Sequence, residues 1–171
     1  MTTNGTAEST VEMTGRDGGA NMNEYLTGNG TIQFATFRLG EQLFGVDVLR
    51  VQEVLRYQDK SDIPLSPPYV SGLINLRGQI VTLLDLRTRL GLPPFEEGKF
   101  PMNVVVNSSE GPLSLMVDEI GDVLDVSQEV FEGPPPTISG EMAEYVQGVC
   151  KLEDQLLIIL DVNRMMESSE G

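Results

Sequence analysis

The chain has 171 residues, enough for one compact domain or two small lobes that bury a core without disulfides. It carries a net charge of -15, one cysteine and no histidine. The acidic balance argues against nucleic acid and anionic membrane as partners, since both need a basic surface. The missing histidine removes the commonest general base and the commonest metal ligand together.

Residues 1 to about 30 are rich in Gly, Thr, Asn and Glu and poor in large apolar side chains, so they read as a disordered tail. The folded part begins near Thr31. Residues 32–39 are β-branched and aromatic, as strands are; Gly40-Glu41 turns the chain and 42–47 return as a second strand. After a corner at 48–50, residues 51–57 read as a third strand with one polar side. Residues 58–68 form a loop in which Pro67-Pro68 opens a single helical turn. Strands over 73–76 and 79–84 flank a tight Arg77-Gly78 turn. Asp85 caps a helix over 86–90 that Gly91 and Pro93-Pro94 end. Beyond a polar linker at 96–101, strands are expected over 103–107 and 113–117, then a polar-apolar run to Val126. Pro134-Pro135-Pro136 breaks a long loop, 141–145 make one helical turn, and 146–152 with 155–160 form a closing strand pair.

One unit is written twice. GLINLRGQIVTLLDLRTRL, starting at Gly72, returns 76 residues later as GVCKLEDQLLIILDVNRMM, starting at Gly148. Gly72 matches Gly148, Gln79 matches Gln155 and Asp85 matches Asp161, without a gap. The run GVDVLRVQEVL is echoed, less well, by MVDEIGDVLDV. About five short strands and one terminal helix per copy are most stable when closed into a small barrel, which removes exposed edges. The expected fold is mainly β: two five-stranded barrels in tandem, in lobes of about 31–95 and 100–166 between which strands are free to exchange, with the helix after the first closing pair packed between them. Residues 38–99 hold eight basic and eight acidic residues, whereas residues 100–171 hold two and fourteen. That division suits two partners of different surface chemistry, or equally a solvated acidic face.

Chemistry is not written in the chain. GxxxxGK[ST], GxGxxG and GxSxG are all absent. The acids Asp118, Glu119, Asp122 and Asp125 do not match a calcium loop and read as polar strand and turn positions. No catalytic residue, metal or cofactor is expected. No apolar run approaches the roughly 20 residues of a membrane span, and no secretory signal is visible, so a cytoplasmic protein is expected. Cys150 reads as a buried small hydrophobe. Arg77 reads either as a solvated turn residue or as an exposed anchor for an acidic partner, with Asn75 on the same strand face. Arg87 and Arg89 are expected on the exposed face of the short helix.

The series GVDVLRVQEVL, GLINLRGQIVTLLDLRTRLGL, MVDEIGDVLDV and YVQGVCKLEDQLLIILDV resembles the CheW-type chemotaxis coupling proteins over about residues 32–166. The NLRG turn followed by DLR is its most specific piece. The resemblance implies two barrels of Src-homology-three-like type and a non-catalytic adaptor. It would couple the cytoplasmic tip of methyl-accepting chemoreceptors to the regulatory domain of a CheA-type histidine kinase and help build signalling arrays, with CheW–CheW contacts also possible. The protein would then be cytoplasmic and recruited to membrane-associated arrays. Related pathways in pili or gliding motility share the motifs, and a small-ligand or catalytic protein on the same barrels is the more distant alternative. Carried over residue by residue, the receptor-binding positions are Val51, Glu53 and Arg77, with Asn75 added from its place on the same strand face as Arg77; the structural glycines are Gly72 and Gly78, and Ile120 is an apolar interface position of the second lobe.

Overall fold

Among residues 30–167, which the computed structural model describes, eleven strands pair into two sheets. The tail expected over residues 1 to about 30 lies outside them, Gly30 excepted. The strands are β1 (Thr31–Leu39), β2 (Gln42–Asp47), β3 (Val51–Leu55), β4 (Val70–Leu76) and β5 (Gln79–Asp85), followed by helix α1 (Leu86–Arg89). Then come β6 (Met102–Ser108), β7 (Gly111–Val117), β8 (Glu119–Ser127), β9 (Phe131–Glu132), β10 (Val146–Lys151) and β11 (Leu156–Leu160). The third strand stops two residues short of the expected end, where Tyr57 turns its ring onto Phe100 with centroids 5.0 Å apart. Pro67-Pro68 gives one hydrogen-bonded turn, Val70 N–H to the Pro67 carbonyl at 3.0 Å, and no helix.

One sheet runs β3-β6-β7-β5-β4 and the other β8-β1-β2-β11-β10-β9. The first is contiguous in sequence and forms an inner lobe, inserted between β2 and β8 of an outer lobe. Each sheet therefore takes its first hairpin from one repeat and its remaining strands from the other. The pairings obey the same rule twice: β1 lies antiparallel to β8 as β6 does to β3, and β2 lies parallel to β11 as β7 does to β5. The linker at 96–101 separates the repeats but falls inside the inner lobe.

Burial follows this layout. Ile74, Val81, Leu83 and Val105 belong to a cluster of the inner lobe alone, and Ile32, Phe34, Leu157 and Ile159 to one of the outer lobe alone. The largest cluster draws Phe37, Phe44 and Ile158 from one sheet and Leu84, Val106 and Leu115 from the other, so the lobes share a core at their seam. Helix α1 contributes Leu86 and, at its end, Leu90 to that seam.

The repeat is visible down to single atoms. The carboxylates of Asp85 and Asp161 accept from the backbone N–H groups of Thr88 and Asn163 at 3.0 and 3.1 Å, capping equivalent turns. Their own N–H groups donate to the carbonyls of Tyr69 and Tyr145 at 2.8 and 2.9 Å. Gly72 and Gly148 sit at equivalent register shifts in β4 and β10. A Cβ on Gly72 would lie 2.5 Å from the Ser61 carbonyl, and one on Gly148 would lie 2.5 Å from the Glu132 carbonyl. In both lobes the glycine lets a flanking segment close over the strand: Ser61 bridges Leu73, and β9 pairs with β10.

Cys150 is buried in the outer-lobe cluster, where burial pushes its thiol up to about 11. A thiol so held is protonated and shielded at neutral pH. The native chain should therefore give under a tenth of a thiol equivalent with a disulfide reagent, and a full equivalent once unfolded in denaturant.

Candidate partner-binding site

The hairpin β4-β5 closes at Leu76–Gln79 through a two-residue turn in which Arg77 and Gly78 have φ of 53° and 87°. Two positive φ values make the turn of type I′, whose twist matches that of the strands. Gly78 adopts this without strain; Arg77 does so at a cost that its surroundings must offset. Asn75 supplies part of the offset, its side-chain carbonyl accepting from the Gly78 N–H at 2.9 Å. Arg77 is thus presented on a short, internally bonded tip.

Across the sheet, β3 is the opposite edge from β4, yet side chains bring the two edges together. The Arg77 guanidinium is ion-paired with Glu53, and Gln52 Nε2 donates to Gln79 Oε1 at 3.4 Å. These ties draw the five strands toward a closed barrel. Glu53 keeps only 20% of its side chain exposed, whereas Arg77 keeps 73%. The half-buried acid therefore orients a guanidinium whose larger part faces solvent. Of the four sequence-assigned contact residues, the structure joins Glu53 to Arg77 and ties Asn75 into the same turn. Val51 lies two residues before Glu53 on β3 but is half-buried against the shared core.

Neighbouring residues complete the surface. Ile80 stands opposite Asn75 in the β4-β5 register and is 56% exposed, and Val54 on β3 is also exposed. Sequence reasoning missed Ile80, although a two-residue turn at Arg77-Gly78 already places it beside Asn75 on one face. In the outer lobe Ile120 lies opposite Phe37 and packs half-buried against the shared core, while Val123 on the same strand is exposed.

The expectation of exposed helical arginines is corrected. Arg87 forks onto Asp118, with Nε to Oδ1 at 3.1 Å and Nη2 to Oδ2 at 2.5 Å, and the Gly40 N–H donates to the same carboxylate at 2.6 Å. Burial pushes the Asp118 carboxyl up, but the Arg87 fork and the Gly40 N–H outweigh it and hold it below its usual range. Arg89 is buried outright. A four-residue helix at a seam has no free face, so the expected exposed face does not exist. Among the described residues no three Asp, Glu or Cys side chains converge as a metal site, and no helix is long and apolar enough to cross a membrane.

Residues 33–170 match the CheW-like domain. The chain belongs to the CheW-like family. The CheW-like chain is 37% identical to the chemotaxis protein CheW of Treponema pallidum over 142 residues, covering 81% of this chain and 84% of the relative. It is 30% identical to the chemotaxis protein CheW of Klebsiella aerogenes, covering 81% and 83%. The crystal structure of the scaffolding protein TtCheW from Thermoanaerobacter tengcongensis superposes with a TM-score of 0.75 at 28% identity, covering 82% of this chain and 96% of that one. In the CheW-like fold the two sheets described above are its two Src-homology-three-like barrels, the outer one with six strands where five were expected, the two-residue β9 being the addition.

Proposed function

We propose that this chain is a non-catalytic adaptor of a chemotaxis pathway. It holds the cytoplasmic tip of a chemoreceptor on the inner lobe and a CheA-type kinase regulatory domain beside it, at the membrane-associated array. The observation that carries this reading is the Arg77 guanidinium: exposed, fixed on a rigid type I′ tip, and oriented from behind by Glu53. Such an arrangement suits fork-like capture of a carboxylate on an acidic partner. The exposed apolar Ile80 and Val54 supply contact area nearby. A scaffold acts by holding partners in one geometry, so that receptor state shifts the kinase through differential contacts rather than bond chemistry.

The test is co-sedimentation of the purified chain with receptor-containing membranes, with and without a CheA-type kinase, while kinase autophosphorylation is followed. Arg77→Glu should weaken receptor association by roughly 30-fold or more, the scale of a desolvated arginine hot spot. Thermal stability should fall only modestly, by about 1 kcal/mol, since Arg77 is mostly exposed although its partner Glu53 is not. Unchanged association, or unfolding in step with the loss of binding, removes Arg77 from the interface.

A further inference from the structure

Among the described residues Arg89 is the buried arginine, 7% exposed, and the surface reading gives it no task. It stands on α1, directly after the inner lobe's β5. Its guanidinium carbon lies 3.7 Å from the ring centroid of Tyr69, which precedes β4 of the inner lobe. The same carbon lies 4.6 Å from the ring centroid of Tyr145, which precedes β10 of the outer lobe. Its Nε donates to the Met165 carbonyl at 2.7 Å, and its Nη2 donates to the Glu167 carbonyl, both in the segment that follows β11. One side chain therefore grips both lobes at once.

The repeat explains why it can. Tyr69 and Tyr145 are 76 residues apart, the spacing of the repeat, and so are Arg89 and Met165. Equivalent parts of the two copies meet here, around one guanidinium. Two arginines at equivalent positions would repel one another in a buried space. One copy carries the arginine, and the other carries Met165, fully buried, whose carbonyl accepts the bond. A cation between two aromatic faces, bonded to two carbonyls, has a defined direction that apolar seam contacts lack.

We propose that Arg89 is the pin that fixes the orientation of the two lobes relative to each other, and that coupling depends on it although it is a positioning residue that touches no partner. The second half rests on the adaptor reading given above; the first does not. Spin labels at Ile80→Cys and Val123→Cys, exposed sites in the inner and outer lobe, report inter-lobe distance in a Cys150→Ala background. With Arg89 intact the distance distribution should be narrow. Arg89→Met should at least double its width while the circular dichroism spectrum stays native. Tyr145→Leu, which removes only the outer lobe's ring, should broaden it less, and serves alone if Arg89→Met does not fold. An unchanged width in a folded Arg89→Met or Tyr145→Leu chain overturns the pin. In unlabelled Arg89→Met, receptor and kinase binding should each stay within about threefold while receptor-dependent kinase activation falls at least tenfold. A broadened distribution with activation intact leaves the pin standing and overturns its role in coupling.

Discussion

Asp118→Asn should destabilise the chain at neutral pH by about 2–3 kcal/mol. Breaking one half of a buried, hydrogen-bonded ion pair costs roughly 3–5 kcal/mol. The Asp118 and Arg87 side chains keep 24% and 16% of their surface exposed, and that solvent access lowers the figure. Two groups lose their shared carboxylate: the Arg87 fork and the Gly40 N–H in the β1-β2 turn. Arg87 also lies over the Phe95 ring and donates to the Pro93 carbonyl, so its cost is softened but not cancelled. The pH dependence has a definite sign. The folded-state value for Asp118 lies below the ordinary 3.8, so its stabilisation is fully present above that value and is lost as pH falls through the folded one. Chemical denaturation at neutral pH and at successively lower pH should therefore show the gap between native chain and variant closing below about pH 4. A gap that stays constant into that range would mean that the loss does not come from the charge of the Asp118 carboxylate.

Gly72→Ala should cost about 3 kcal/mol, and more than Gly148→Ala at about 1–2 kcal/mol. Both added methyls would meet a carbonyl oxygen at 2.5 Å. Gly72 has in addition a φ of 154°, a region that side-chain-bearing residues avoid, and its neighbour is held by two backbone bonds between Ser61 and Leu73 at 2.8 and 2.9 Å. Gly148 faces a two-residue strand, β9, whose Phe131 ring lies closer still to the added methyl but can shift together with that short strand. Denaturant midpoints of the two variants, measured side by side, order them; a larger loss at Gly148 would place the constraint on β9 instead.

How much of this was legible depended on the range of the interaction. The β1-β2 hairpin, the Arg77-Gly78 turn and the Asp85 cap are local, and the sequence names their residues through turn chemistry and capping. The repeat was legible because glycine, turn and aspartate return at constant spacing. The partition of strands between sheets was not, since β1 pairs with β8 across most of the folded chain, as in Phe34 with Leu124, and no local pattern records that choice. Arg77 stood out by its turn, but its pairing with Glu53 depends on sheet closure. The burial of Arg89 was not legible because a seam between repeats is a property of two distant segments, Tyr69 and the residues around Met165, that no local pattern joins.

The insertion of one lobe within the other also orders events on the ribosome. The inner lobe spans Val51 to Val117 without interruption, so all its strands are available once β7 has emerged. The β1-β2 hairpin precedes the inner lobe in the chain yet finds its permanent neighbours last, because β8 and β11 are still to be translated. Until then its paired faces and both its edges are exposed, and an unpaired edge invites association with other chains. This hairpin is therefore the part of the fold most in need of shelter during synthesis.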